Sequence, residues 1–289
     1  MTKISNGIIT VEVADKGAEI QNIYNHTTGL EYMWNGDAAF WGKKSPVLFP
    51  IVGGLKNNTY QHEGKNYTLG RHGFARDMIF NLSHQSENTL TYTLVSNEAT
   101  LTSSPFQFIF SVSYTISENK LSCKYIVENT GNNKMFFSCG AHPAFKVPLT
   151  EDTNFADWHL QFSTTENAGK WPLSKEGLLL NESVEYLQNA NQLPLTKALF
   201  YSDALVFKNL QSTAISIVST KSTHGLTMHF PHFPYFGIWS TKDANFVCLE
   251  PWCGIADSIN ATGNLKDKEG IHILEPNKNW DRTWRVEVF

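Results

Sequence analysis

The fold is decided by residues 105–129, PFQFIFSVSYTISENKLSCKYIVEN, in which apolar and polar side chains alternate. The even positions from Phe106 to Ile116 are apolar or aromatic, and after the polar pair Glu118-Asn119 the odd positions from Leu121 to Val127 take over that role. Successive side chains of a β-strand point to opposite faces, so each run turns one face toward a core. Two such runs joined by a short polar turn predict an antiparallel β-hairpin.

The same period of two recurs on both sides of this hairpin. At the end of the chain, Trp284, Val286 and Val288 alternate with polar residues. Further short strands are predicted at 8–13, 78–82, 89–95, 135–139, 158–162, 214–218, 226–230, 236–239, 246–249 and 271–274. Many short strands separated by turn residues are typical of a large antiparallel all-β sandwich. Only residues 174–188 have a pattern compatible with a helix, so we expect few short helices.

Length and composition favour a single domain that spans residues 1–289. Large all-β folds reach this size as one unit, and neither a low-complexity linker nor an internal repeat divides the chain. Charged residues make up 17% of the chain and the net charge is −4, with no basic stripe, which argues against a nucleic-acid partner. The aromatic fraction of 13% suits a β-rich protein and also suits stacking on sugar rings.

The chain begins on an alternating run and lacks the basic and apolar regions of a signal peptide. No apolar run approaches the roughly 18 residues that a membrane span requires. Cys123, Cys139, Cys248 and Cys253 form no CxxC pair and are too few for a disulfide scaffold. We therefore expect a cytoplasmic protein with reduced thiols and no membrane partner. Both a monomer and a homodimer remain open.

Two clusters in the first third of the chain combine glycine with possible ligand-binding residues. In residues 45–54, SPVLFPIVGG, an apolar strand runs into two glycines, which indicates either a plain turn or a close approach of the backbone to a ligand. In residues 71–77, RHGFARD, two arginines flank His72. Guanidinium groups suit hydroxyl or carboxylate recognition. The alternative is a surface loop in which an arginine pairs with Asp77.

Two titratable residues each precede a proline at the end of an apolar run. His142 lies in CGAHPAF, residues 139–145, where Pro143 favours an extended backbone and small neighbours leave room around the imidazole. Glu250 follows the apolar run 246–249 and precedes a proline and a tryptophan. Burial there would raise the pKa of the carboxyl group, which suits a general base. Each residue alone could be structural, but together they could form an acid/base pair.

Other chemistries lack their sequence signatures. The ten histidines are scattered without a ligand register such as HExxH, so we expect no metal site. Glycine-rich phosphate loops and the GxSxG nucleophile elbow are also absent. We expect no cofactor.

Five segments together resemble the aldose 1-epimerase (galactose mutarotase-like) superfamily, and most closely its LacX-type branch from bacterial sugar operons. They occur in the family's order and span nearly the whole chain: 48–53 LFPIVG, 71–76 RHGFAR, 140–145 GAHPAF, 233–239 FPYFGIW and 249–254 LEPWCG. The set is specific, although no single segment is. The resemblance implies a β-supersandwich with a sugar bound in an open cleft on one sheet.

The resemblance also implies roles for individual residues. Glu250 would be the base and His142 the acid that open and reclose the ring of an aldose, so that its α- and β-anomers interconvert. His72 would help to hold the sugar, and Asp203 matches a hydroxyl-binding aspartate more loosely. The expected substrate-binding set is His72, Arg71, Arg76, Asp203, Trp239, Trp252 and Phe145.

One departure from the family bears on the substrate. Relatives usually carry an arginine just after the Val-Gly turn, where this chain has Gly54, so Arg71 or Arg76 could provide the cation. With only these two arginines at hand, an unphosphorylated aldose such as galactose or glucose is favoured over a hexose 6-phosphate. A non-catalytic sugar-binding protein or a purely structural sandwich are the alternatives. The presence of both Glu250 and His142 favours the enzyme.

Overall fold

The computed structural model describes residues 1–289, which form twenty-three β-strands and one α-helix. The strands are β1 Thr2–Ser5, β2 Ile9–Ala14, β3 Glu19–Asn25, β4 Leu30–Glu31, β5 Val47–Leu48, β6 Thr59–His62, β7 Lys65–Thr68, β8 Asn81–Gln85, β9 Thr89–Val95, β10 Phe108–Ser117, β11 Lys120–Asn129, β12 Met135–Phe137, β13 Cys139–Ala141, β14 Ala144–Lys146, β15 Trp158–Lys170, β16 Val184–Pro194, β17 Leu205–Lys208, β18 Ala214–Ser219, β19 Ser222–His229, β20 Tyr235–Trp239, β21 Phe246–Cys253, β22 His272–Leu274 and β23 Asn279–Val288. The helix is α1, Glu98–Ser103, and single turns of 3₁₀-helix lie at Lys56–Asn58, Ala75–Asp77, Phe155–Asp157, Lys197–Phe200 and Leu265–Asp267. No helix is long and apolar enough to cross a membrane.

The hairpin predicted from residues 105–129 is confirmed. Strands β10 and β11 pair antiparallel from Phe108 opposite Asn129 to Ser117 opposite Lys120, and Glu118 takes a positive φ of 53° in the turn. The alternate side chains that were expected to face the core are all buried. Strand β23, the alternating C-terminal run, pairs with the outer edge of β11.

Fifteen strands form one antiparallel sheet that folds over into a sandwich. The hydrogen-bonded order is β5-β13-β21-β20-β17-β15-β18-β19-β23-β11-β10-β9-β8, with β14 beside β21 and β16 beside β15. Phe49, just after β5, stacks on Phe110 of β10 with 4.3 Å between the ring centroids, although the two strands lie far apart in this order. A separate sheet of β1 to β4 covers the same core, where the Tyr92 hydroxyl donates to the Val13 carbonyl at 3.3 Å. A core of 62 buried residues results, and the expected all-β sandwich is confirmed.

The prediction of a helix at residues 174–188 is wrong. Residues 174–177 form a turn in which the Gly177 amide donates to the Ser174 carbonyl at 2.9 Å, and Gly177 has a φ of 77°. Residues 184–194 then form β16, which pairs with β15. A glycine at positive φ ends any helix there, and the exposed edge of β15 recruits the following segment as a strand. The expectation of one domain over residues 1–289 stays a prediction.

Four adjacent strands at one end of the large sheet position the functional segments. In the order β5, β13, β21 and β20, they carry the glycine turn at 53–54, His142, Glu250 and Trp239 respectively. The side chains of distant sequence segments therefore meet on one sheet face.

Candidate active site

Glu250 and His142 meet at the floor of a cleft. His142 Nε2 lies 3.2 Å from Glu250 Oε2, and the two residues are 8% and 1% exposed. His142 occupies the break between β13 and β14, both of which pair with β21. The proline after Glu250 suggested that the strand ends there. Instead, β21 continues to Cys253, so Glu250 lies within the strand. Pro251 has no amide hydrogen to donate, and it is tolerated there because the neighbouring strand is interrupted between β13 and β14.

Burial pushes both members of this pair toward their neutral forms. The pKa of Glu250 is raised well above its usual value, first by desolvation and then by the nearby Asp203 carboxylate. The Trp252 indole N–H favours the carboxylate and lessens that rise, although no hydrogen bond joins the two groups. Desolvation lowers the pKa of His142 to about 3. The pair therefore holds one exchangeable proton that can move between the carboxyl group and the imidazole.

His72 is held as a neutral hydrogen-bond donor. Its Nδ1 accepts from the Gly53 amide at 3.1 Å, which leaves the proton of the neutral ring on Nε2. Burial lowers the pKa of His72 well below its usual value, and the charges of His142, Arg76 and Arg71 add to that effect. The ring centroids of His72 and His142 are 5.6 Å apart. The first glycine cluster thus serves to orient His72.

Gly53 is needed for a close approach of backbone to backbone. With φ at 73°, a β-carbon on Gly53 would lie 2.5 Å from the Ala256 Cα. The Asp257 amide donates to the Gly54 carbonyl at 2.9 Å in the same region. This contact ties the turn at 53–54 to the segment that follows β21, so the two glycines are more than a plain turn.

Arg71 and Arg76 both line the cleft, and both are hydrogen-bonded to backbone carbonyls. Arg71 Nη2 donates to the Glu176 carbonyl at 3.0 Å, and Arg76 Nη2 donates to the Arg71 carbonyl at 2.9 Å. Arg76 Nε also lies 3.6 Å from Asp77 Oδ2, so the expected surface pair with Asp77 exists as well. Gly177 makes room for Arg71, since a β-carbon there would overlap the guanidinium group.

The aromatic walls differ in part from the expectation. Trp252 lies against Gly140 and Gly237 of the two flanking strands, where added β-carbons would come within 2.7 and 2.6 Å of the indole. The space beside His142 that small residues were expected to leave for a ligand is therefore partly filled by Trp252. Phe145 does not reach the cleft: it is fully buried in the core because it alternates to the opposite face of β14.

Trp239 and Trp41 flank the imidazole of His142. Their ring centroids lie 5.5 and 5.0 Å from that of His142. Trp41 was missed in the sequence because it lies in a polar loop with no recurring pattern around it. Its only signal was a large aromatic residue beside glycine and two lysines.

The cleft has a volume of about 320 Å³ and collects residues from all of the sequence clusters. Asp203 lines it too, with its Oδ1 accepting from the Ala204 amide at 2.7 Å. The expected residues that line it are Arg71, His72, Arg76, His142, Asp203, Trp239, Glu250 and Trp252. A cleft of this size, with titratable groups on its floor and aromatic walls, suits a small polar ring.

The sequence as a whole matches one family model, described as Aldose 1-epimerase, over residues 1–287. The chain belongs to the aldose 1-epimerase family. The chain is also 33% identical to the chromosomal protein LacX of Lactococcus lactis subsp. lactis over 295 aligned residues, which cover 99% of this chain and 98% of LacX.

Solved structures of the same kind superpose closely on this aldose 1-epimerase family member. A galactose mutarotase related enzyme from Lactobacillus acidophilus matches with a TM-score of 0.95 and 34% identity, covering 100% of this chain and 97% of its own. A galactose mutarotase-like protein from Lactobacillus casei matches with a TM-score of 0.93 and 31% identity over the full length of both chains. The resemblance read from five short segments is thereby confirmed for the whole chain.

Proposed function

We propose that this member of the aldose 1-epimerase family is a mutarotase that interconverts the α- and β-anomers of an unphosphorylated hexose of the galactose or glucose type. The observation that carries the proposal is the 3.2 Å separation of Glu250 Oε2 and His142 Nε2 at the floor of a sugar-sized cleft. The two oxygens that exchange protons during ring opening are both bonded to C1 of the sugar. A base and an acid one hydrogen-bond length apart can reach both of them.

The reaction uses the shared proton in a closed cycle. With Glu250 as carboxylate and His142 as imidazolium, Glu250 takes the proton of the C1 hydroxyl while His142 protonates the ring oxygen, and the C1–O5 bond breaks. The aldehyde rotates about C1–C2. His142 then takes the proton back from the C5 hydroxyl as it attacks C1, and Glu250 returns its proton to the new C1 hydroxyl. No proton is gained or lost overall.

Burial sets which protonation form of Glu250 and His142 is favoured. The form with a neutral carboxyl and a neutral imidazole contains the same number of protons as the ion pair, so the two forms interconvert by one transfer across 3.2 Å. A rise in the pKa of Glu250 and a fall in that of His142 favour the form in which both groups are neutral, and the ion pair forms from it by this transfer. The shared proton therefore stays within the pair, so the cycle needs no proton from solvent.

The surrounding residues have positioning roles in this proposal. His72 presents an N–H donor and Asp203 a carboxylate acceptor, a pair that suits sugar hydroxyl groups. Trp239 and Trp252 offer apolar surface for the C–H face of the ring.

Two observations bear on phosphorylation of the substrate. Arg71 and Arg76 are already hydrogen-bonded to the Glu176 and Arg71 carbonyls, which favours an uncharged sugar. Both also line the cleft, and guanidinium groups bind phosphate well, so a hexose 6-phosphate is the second candidate substrate.

The test follows the optical rotation of freshly dissolved α-D-galactose, α-D-glucose and α-D-glucose 6-phosphate with the spontaneous rate subtracted. Glu250→Gln is expected to lower kcat by about 10²- to 10⁴-fold, the contribution of a positioned general base. Glu182→Gln removes an exposed carboxylate that does not line the cleft and is expected to keep the wild-type rate.

Tryptophan fluorescence of the Glu250→Gln protein, titrated with the same sugars, separates catalysis from binding. Retained binding with a lost rate supports the assignment. A Glu250→Gln rate within about twofold of wild type would contradict it. Sugar binding without any rate enhancement by the wild type would select the non-catalytic alternative, and a strong preference for the phosphate ester would select the second substrate.

A further inference from the structure

A third potential metal ligand lies beside the proposed acid/base pair. The ligand atoms of His142, Cys248 and Glu250 all lie within 4.8 Å of one another, and all three residues are buried. Cys248 precedes Glu250 by two residues on β21, so both side chains point to the same face of the sheet. The cluster therefore joins two residues of one strand to a histidine 106 positions earlier than Cys248, a spacing that no sequence motif records.

The geometry of the cluster is close to that of a tetrahedral zinc site. Zinc bonds to histidine and carboxylate are roughly 2.0–2.2 Å long, which places two such ligand atoms about 3.3 Å apart in a tetrahedron. His142 Nε2 and Glu250 Oε2 are 3.2 Å apart. With a zinc–sulfur bond of about 2.3 Å, the sulfur of a bound thiolate would lie about 3.6 Å from each of them. Without metal, the Cys248 sulfur lies within 4.8 Å of both.

The charges and surroundings also suit a divalent cation. A thiolate, a carboxylate and a neutral imidazole balance the two positive charges, so the occupied site would carry no net charge in a largely apolar setting. Binding would release two protons to solvent, one from the thiol and one from the acid/base pair. Trp41 and Trp239 flank the imidazole and limit access of water, while the cleft leaves the fourth coordination position open.

We propose that His142, Cys248 and Glu250 bind Zn²⁺ or a similar thiophilic cation, and that this cation inhibits the enzyme by occupying both proton-transfer groups. The inhibition rests on the proposed function, whereas the binding does not. The thiolate selects Zn²⁺, Co²⁺ and Cd²⁺ over Mg²⁺ and Ca²⁺, which prefer sets of oxygen ligands. Sugar and cation would compete because they use the same two atoms.

The binding test titrates chelator-treated protein with Co²⁺ and follows the thiolate-to-cobalt charge-transfer absorption. The wild type is expected to develop this band with one equivalent of Co²⁺ and to lose it when Zn²⁺ is added. Cys248→Ala is expected to lack the band. Cys123→Ala removes another fully buried thiol, outside the cluster, and is expected to retain it. Circular dichroism verifies that each variant is folded.

The inhibition test measures anomer interconversion at increasing Zn²⁺ concentrations. Cys248→Ala is expected to keep its basal rate and to need roughly 10- to 100-fold more Zn²⁺ for the same inhibition, since the loss of even an outer-shell partner costs that much affinity. Absence of the cobalt band in the wild type, or an equal band in Cys248→Ala, overturns the proposal. If the metal-free wild type shows no epimerase activity, the proposed function fails while the cobalt titration still decides the site.

Discussion

Replacement of Gly73 by alanine tests how the turn beside His72 is held. Gly73 has a φ of 69° and forms a parallel bridge with Phe49. A β-carbon at Gly73 would lie 2.6 Å from the Phe49 carbonyl carbon and 2.7 Å from the Pro50 nitrogen, with the Phe49 carbonyl oxygen closer still. These atoms belong to the backbone, so relief requires a shift of one chain segment against the other.

The expected cost has two parts. A non-glycine residue in the left-handed region costs about 1–2 kcal/mol. Forcing an extra carbon into a filled space costs typically about 1–3 kcal/mol more. Gly73→Ala should therefore lower the free energy of unfolding by about 2–5 kcal/mol, a large share of the roughly 5–15 kcal/mol that a folded protein has.

Gly64→Ala is the matched control. Gly64 has a φ of 74°, yet no atom lies within 4 Å of the position that its β-carbon would take. Gly64→Ala should lower the free energy of unfolding only by the conformational cost of about 1–2 kcal/mol. The effect of alanine on the entropy of the unfolded chain is the same in both variants. The difference between Gly73→Ala and Gly64→Ala thus isolates the close approach to Phe49.

Urea denaturation with linear extrapolation measures both free energies, and equal m-values would show that the same surface is exposed on unfolding. Polarimetry on the two folded proteins then reports whether the backbone shift displaces His72. We expect a reduced rate only in Gly73→Ala. Equal stabilities of the two variants, within about 0.5 kcal/mol, would refute the steric argument.

Two further predictions concern pH. Burial lowers the pKa of His142 to about 3, which opposes the addition of a second proton to the pair. Burial also raises the pKa of Glu250, which opposes the loss of the shared proton. The value of kcat/KM should therefore stay level across neutral pH. An acid limb near pH 6.5 would contradict this. Burial also lowers the pKa of His272 from 6.5 to about 4, so the unfolded chain takes up this proton first and stability should fall as the pH drops from 6.5 toward 4. His272→Phe should lessen the dependence of Tm on pH in that window, and the substitution His84→Gln at an exposed position is the control.

The local pattern of apolar and polar residues was enough to predict a strand wherever one face of that strand is buried. The alternation through residues 105–129 established the hairpin and its inward side chains, since a slip of one residue would expose every apolar group. It did not separate helix from strand at 174–188, where β16 forms because β15 offers an unpaired edge. Phe145 shows the same limit at one residue. Phe145 lies only three positions after His142, yet the alternation of side chains along β14 directs it into the core.

The sequence predicted most residues of the candidate site, but their relative positions depend on the fold. The segments around His72, His142 and Glu250 were identified by their chemistry and by family resemblance, and they do line one cleft. Trp41 lies outside these segments, and it belongs to the site only because the fold packs its ring against His142 and against Phe246 of β21. Cys248 had no motif either, and becomes a potential ligand only through its position beside His142.

By itself the sequence determined an all-β chain, its central hairpin and its membership of the aldose 1-epimerase family, because periodicity and short motifs are local properties. Only the tertiary structure decided that His142 and Glu250 lie 3.2 Å apart, that burial drives both toward neutrality, and that Trp252 rests on two glycines from neighbouring strands. Those facts depend on which strands become neighbours and on how much water they exclude. Both are properties of the whole sheet and of no single segment.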